Sequence, residues 1–312
     1  MFINCKFILI SSIIEHMNLY KAIFAFALCL LSLLPISGFC AESKGFLEKK
    51  ESGVIDWTKG IVTAWGISTP IKKDAVMPKS PSLRALSEAK NRARHKLLET
   101  VKQIQVDAKQ KVGDIADRNK IIMAQIQDMV YHATEIEKLR RYISDGSVEV
   151  HLQLDLHGGF AQLILPPQIR QIEMIKQLKP GENAPDLKSN AGANSYTGLL
   201  VDARNIEAIP ALVPKLLDEN LTEVFGPAFV SREFVVQRGM AAYYTDIESA
   251  NADPRVANQP LVVKALRTDW PRRCNIIISN GDASKLKSTS DHLQFLKESR
   301  VVIVLSTPSS PE

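Results

Sequence analysis

The chain has 312 residues, 45% of them hydrophobic and 23% charged, and a formal net charge of +5. That length gives room for two modest domains with cores of their own, and so mild a basic excess argues against a nucleic-acid partner. Three of the four cysteines (Cys5, Cys29, Cys40) fall in the first 40 residues, which leaves Cys274 alone in the body of the chain and excludes a disulfide framework there.

Residues 17–41 have the layout of a Sec signal peptide. Lys21 supplies the positive start, Ala22 to Pro35 carries no charge, and Ser37, Gly38 and Ala41 offer small residues for cleavage. Met17 reads as the start of this segment, which predicts export to the periplasm or to an outer-membrane association. Two alternatives stay open. Residues 22–41 are about long enough to remain as an uncleaved anchor. Lipidation at Cys40 would tether the chain to a membrane, although bulky Phe39 departs from the small residue that such signals place before the cysteine. Without residues 1–41 the chain keeps 37 basic and 33 acidic side chains.

Residues 53–69 (GVIDWTKGIVTAWGIST) read as a strand, bent or turned at Gly60. After a loop from Pro70 to Pro81, Ser82 caps a long helix. Leu86, Ala89, Ala93, Leu97, Val101, Ile104 and Ala108 recur at three- and four-residue steps and form its apolar stripe. A second helix is expected near 117–131, with Ile122, Ile126, Met129 and Val130 on one side. Ile136 to Ile143 then pairs with 148–156 across Asp145-Gly146, a dipeptide suited to a turn with positive φ at both positions. Val148, Val150, Leu152, Leu154 and Leu156 alternate with Glu149, His151, Gln153, Asp155 and His157. Phe160–Ile164 and, weakly, Gln168–Leu178 read as helical.

Residues 180–195 (PGENAPDLKSNAGANS) have linker composition. Beyond it, strands are expected at 196–202, 211–217, 234–237, 261–266, 274–279 and 300–305, and helices at 240–250 and from an Asp282 cap to about Ser299. The reading is α+β: two domains, 50–179 and 196–306, each a mainly antiparallel sheet with helices on one face.

The opening strand Val54-Ile55-Asp56-Trp57-Thr58 with Gly60, then Ala64-x-Gly66, leads into the alanine-spaced helix Ala85-x3-Ala89-x3-Ala93-x3-Leu97 and on to Val101-x4-Val106-Asp107. Over roughly residues 50–160 this pattern resembles the bacterial envelope family typified by the twenty-kilodalton membrane lipoprotein of Helicobacter, and the related N-terminal domain of flagellar assembly protein T. The second domain, with Thr197-Gly-Leu-Leu-Val-Asp202-Ala203-Arg204, resembles a module of uncharacterised exported proteins. The resemblance implies an envelope-associated, non-enzymatic protein without cofactor or catalytic residues, working through envelope protein partners.

Several residue groups invite a sharper chemistry. His151, Asp155 and His157 share a strand face, a geometry that metal sites use, although a third ligand would have to come from elsewhere and a solvated polar face explains them more simply. Arg92, Arg94 and Lys96 on the long helix offer a basic interface toward an acidic partner or lipid headgroup; Glu88 and Glu99 dilute it toward an ordinary solvated face. Trp57 and Trp65 lie in an apolar strand and read as core, whereas Trp270, beside Pro271-Arg272-Arg273, reads as a surface ring suited to a partner or a wall glycan. Asp202 and Arg204 at a strand end could position a ligand, but read more simply as a turn-stabilising ion pair or as unrelated surface groups, and Cys274 reads as a small apolar residue at a strand start. The leading expectation is a non-catalytic envelope protein acting by protein contact, of surface or flagellar-assembly type. The alternative is a periplasmic binder of wall glycan or metal.

Overall fold

Strict alternation of apolar and polar side chains organises the first half of the protein. The computed structural model describes residues 45–70, 83–170, 196–257, 259–270 and 273–307. The signal segment with Cys40, the Ser82 cap and the 180–195 linker lie outside the described residues. Strands β1 (Leu47–Lys50), β2 (Gly53–Asp56), β3 (Ile61–Ile67), β4 (Thr134–Glu135), β5 (Arg141–Tyr142) and β6 (Val148–Asp155) form one sheet in the order β1-β2-β3-β6-β4, with β5 also paired to β6. Every pairing in it is antiparallel. The stretch expected as one bent strand is the hairpin β2–β3, and Gly60 turns it at φ +67°.

Helix α1 (Leu83–Lys102) covers one face of this sheet and buries Ala85, Ala89, Ala93, Leu97 and Val101. Small residues are required because the helix lies directly on β3. A Cβ on Gly66 would meet the Ala89 carbonyl oxygen at 2.2 Å and the Ala93 nitrogen at 2.4 Å. The stripe does not reach Ala108 as expected. Past Lys102 the chain turns, and Asp107 Oδ1 accepts the backbone N–H of Lys109 (2.7 Å) and Gln110 (3.0 Å), a local bond that competes with helix. The helix expected at 117–131 is two: α2 (Val112–Arg118) and α3 (Lys120–Tyr131). Asn119 divides them, its Oδ1 accepting from the nitrogens of Ile121 and Ile122 as an N-cap.

The hairpin before β6 also differs in detail. Its first arm is broken into β4 and β5 by a 3₁₀ turn at Glu137–Leu139. The connection is a three-residue loop closed by Ile143 N–H to the Ser147 carbonyl, and only Gly146 has positive φ (81°), so Asp145 needs no left-handed backbone. A short helix, α4 (Gly159–Ile164), follows β6 as expected. Gln168–Arg170 is not helical, and the rest of that stretch is outside the described residues.

The second half is built on continuous apolar runs. Strands β7 (Leu199–Ala203), β8 (Lys215–Leu217), β9 (Glu223–Phe225), β10 (Ala242–Tyr244), β11 (Leu261–Asp269), β12 (Asn275–Ile278) and β13 (Val301–Leu305) form a sheet in the order β10-β13-β7-β11-β12-β8-β9. Taken together the two sheets are mostly antiparallel, and the two-domain α+β arrangement holds. The second sheet by itself is mixed: β10–β13, β13–β7, β7–β11 and β12–β8 are parallel, and β11–β12 and β8–β9 antiparallel. Nor are its helices confined to one face. Helices α5 (Arg232–Arg238), α7 (Asn280–Lys287) and α8 (Ser290–Lys297) pack with Val201 and Ile303, whereas α6 (Ile247–Asn251) packs with Leu200, Val302 and Val304 on the opposite side. Parallel strands covered on both faces have no need of alternation, which is why β13 is buried at all five positions.

Three further expectations are corrected here. The segment 234–237 is helix α5, not a strand, its valines packing inward from a helix that starts after Ser231. Residues 240–250 form β10 and α6 rather than one helix. The last helix is divided into α7 and α8, and the cap of α7 is Ser279, whose Oγ accepts from Asp282 N (3.0 Å). Strands β1 and β9 were not foreseen.

Candidate functional site

The two sheets belong to one compact unit, and a single core cluster takes Leu156, Phe160 and Ile164 from the first half and Val213, Phe225 and Met240 from the second. Their seam is tied by backbone. Leu212 and Val213 donate to the carbonyls of Gln105 and Val106 (3.0 and 2.8 Å), and Gly158 donates to Val236 (2.8 Å). Gly45 bridges Tyr244, and Thr58 Oγ1 donates to the Tyr243 carbonyl. Trp57 meets Tyr243 edge-on at 5.6 Å, so this tryptophan is core, as expected, but it is core between the halves.

Around this contact lies a small, mostly apolar cavity of about 40 Å³, lined by Trp57, Tyr243, Met240, Gly60, Gly239 and His157 among others. Tyr243 is fully enclosed: its hydroxyl donates to the Ala211 carbonyl (2.7 Å) and accepts from Ala211 N (3.1 Å). Burial pushes its phenol well above the ordinary range, so it stays protonated. His157 is partly buried between Gly60 and Gly239, with Nδ1 3.0 Å from Asp155. Burial holds its imidazole below the usual value, against the opposing pull of Asp155 and with the help of Arg255. Arg255 is itself depressed by burial and donates to the Arg238 carbonyl at 2.6 Å.

A second opening in the seam is larger and more polar than the first. It is a cleft of about 340 Å³ between the Asp107–Lys109 turn of the first half and β8, β9 and Asn275 of the second. Lys215 and Glu223 pair within it at 2.5 Å, across the β8–β9 ladder. Asn275, 9% exposed, donates to Asp269 (3.3 Å), and its carbonyl oxygen Oδ1 is buried without a hydrogen-bond partner.

The structure does not gather the metal candidates. His151 points to Glu149 (2.7 Å) and stacks on Trp65 at 6.1 Å, while Asp155 and His157 form their own pair toward the seam. Among the described residues no group of three such side chains is placed to hold an ion. Trp65 is therefore on the solvated face of the first sheet rather than in its core, with the Lys96 ammonium 5.3 Å from its ring. The other basic candidates are also engaged within the fold. Arg92 donates to the Ile67 carbonyl (2.9 Å) and pairs with Glu88 (2.7 Å); Arg94 lies 4.1 Å over Tyr131 and donates to its carbonyl. Of the readings open for Asp202 and Arg204 the structure shows the ion pair, with two bonds of 2.8 Å, and Cys274 is buried at the head of β12.

Trp270, 75% exposed, directly follows β11, a strand whose outward residues Val262 and Leu266 are 55% and 50% exposed although it lies inside the sheet between β7 and β12. Sequence reasoning found Trp270 but not this face or the seam. The seam's only local signals were Gly60, Gly239 and an asparagine opening the run Asn275-Ile-Ile-Ile278. No helix among the described residues is long and apolar enough to cross a membrane.

No curated protein matches the chain. Two family models do, and neither is that of the lipoprotein family or of flagellar assembly protein T. Residues 50–156 match the N-terminal domain of Treponema pallidum Tp0624, and residues 198–307 match the second domain of the same protein. The chain is thus similar, over both halves and in the same order, to the N-terminal and second domains of Tp0624.

Proposed function

We propose that this protein is an exported, non-catalytic component of the cell envelope that acts by binding another protein, in a surface or flagellar-type assembly. The observation that carries this reading is the uncovered face of β11. A strand inside a largely parallel sheet is ordinarily buried on both sides, yet Val262, Lys264, Leu266, Arg267 and Trp270 face solvent here. Helix α6 covers the neighbouring strands β10, β13 and β7 and does not extend over β11. Apolar side chains flanked by Lys264 and Arg267 fit a partner surface of apolar groups rimmed by carboxylates. Export rests on the uncharged run that ends at Ala41.

The test is site-specific photo-crosslinking in cells, with the crosslinker at position 264 and, as control, at position 120 on α3. The expected result is a discrete protein adduct from position 264 only, recovered in the envelope fraction with a processed N terminus. Leu266→Asp should weaken it about tenfold, the scale of one well-buried apolar contact. No adduct, or the same adduct from both positions, would overturn the reading, as would an unprocessed chain recovered from the cytoplasm.

A further inference from the structure

We infer that the polar cleft of the seam is a binding site for a small neutral ligand bearing several hydroxyl groups, of the size of one or two sugar units. Its volume of about 340 Å³ lies in the range of small-molecule sites, and clefts between packed domains are where such sites concentrate. The cleft is also built rather than incidental. The bonds from Leu212 and Val213 to Gln105 and Val106 fix its two sides against each other. Gly226 lets the Glu223 carboxylate lie against the backbone, since a Cβ there would sit 2.3 Å from Oε1.

The lining states what it would recognise. Asp107 and Glu223 are balanced by Lys109 and Lys215, so the cleft carries no net charge to hold an anion or a cation. Glu223 and Lys215 neutralise one another, and Asp107 Oδ1 is taken by two backbone N–H groups. What remains open is hydrogen bonding. Asn275 is more than nine-tenths buried, its amide nitrogen is committed to Asp269, and its Oδ1 accepts nothing. A buried acceptor left bare costs about 1–3 kcal/mol, and because Oδ1 lies just beneath the cleft surface, a turn of the carboxamide toward the cleft would let a ligand's donor recover it. Two carboxylates, two ammonium groups and a carboxamide around one cavity present both acceptors and donors, and a hydroxyl group is both at once. Val213 and Pro227 supply the apolar wall that the carbon faces of such a ligand would cover. This inference does not rest on the β11 face, and the two can fail separately.

The experiment is saturation-transfer NMR on the purified chain with glucose and N-acetylglucosamine as probes and inorganic phosphate as the charged control. Saturable binding of at least one sugar is expected, with a Kd on the order of 1 mM. Ala228→Trp, at an exposed position of the cleft wall, should abolish the signal without shifting the melting temperature. Asn275→Leu should weaken binding about tenfold; if it unfolds the protein, Ala228→Trp still decides. No saturable signal from either sugar, undiminished binding in Ala228→Trp, or phosphate bound in preference to both sugars would overturn the inference.

Discussion

The two halves of this protein solve the same problem, burying a sheet, in opposite ways. In the first half β6 buries Val148, Val150 and Leu152 and turns Glu149, His151 and Gln153 outward, so one face meets α1 and the other meets water. In the second half β13 buries Val301 through Leu305 without exception, because helices lie on both sides of it. The difference follows from connectivity. Antiparallel neighbours can be joined by tight turns that leave a face free, whereas parallel neighbours need crossovers, and the crossover helices cover the faces. A face left open in the first sheet therefore follows from its connectivity, while the open face of β11 in the second departs from the covering that its parallel neighbours have.

The sharpest way to break this comparison is to place the same charge on both strands. Val302→Asp, on the side of β13 that faces α6, should abolish folding, since a carboxylate without a partner in an apolar interior costs several kcal/mol. Gln153→Asp, on the open face of β6, should change stability by less than about 0.5 kcal/mol. Chemical denaturation of both variants checks this, and comparable losses would mean that the two sheets are not differently covered. Gly66→Ala comes next. It places a methyl group against the backbone of α1 and should cost about 1–3 kcal/mol, as overpacking does, although alanine is otherwise the better strand residue. A melting curve that matches the parent would show that α1 can lift off β3 freely.

How much of this was legible in the sequence differs between the halves for the same physical reason. Alternation announced β6, and the alanine spacing announced α1, because each element buries one side only. The second sheet hides its signal: in a strand buried on both faces, apolar residues follow one another as they do in a buried helix. Val235 and Val236 in α5 suggested a strand by propensity, and tertiary packing overrode them. The three residues of β10 are too few to show any period. The candidate site was less legible still. Asp107 and Asn275 line one cleft, and Trp57 and Tyr243 meet edge-on, only because distant segments are brought together by the seam. Single residues on a known face, such as Trp270, could be read as exposed, but a cleft made by two halves has no local period.

His157 sits where the halves join, and it gives the smallest and most specific effect. Its ring lies between Gly60 of the first half and Gly239 of the second, with Asp155 and Arg255 as the charged groups that bear on it. Burial, the largest influence, lowers its pKa below the ordinary value of about 6.5. Above neutral pH the imidazole is uncharged in both folded and unfolded chains and contributes no pH dependence. As pH falls through the unfolded value, the unfolded chain takes up the proton first, so stability declines until the folded group titrates as well. Carboxylates act in a lower window. Glu135 is partly buried, which opposes ionisation, but its bonds to Arg140 and Lys90 outweigh this and hold it below 4.5, so its stabilisation is lost only as pH falls from there. The difference in unfolding free energy between the parent and His157→Gln should therefore slope between pH 7 and 5 and be flat above pH 7.5, in denaturant titrations followed by tryptophan fluorescence. Trp57 reports from the seam itself, so its emission should change with the same midpoint if proton uptake loosens the joint between the halves. A flat difference across that window would place His157 in solvent, and the seam would then be looser than the edge-on contact of Trp57 with Tyr243 implies.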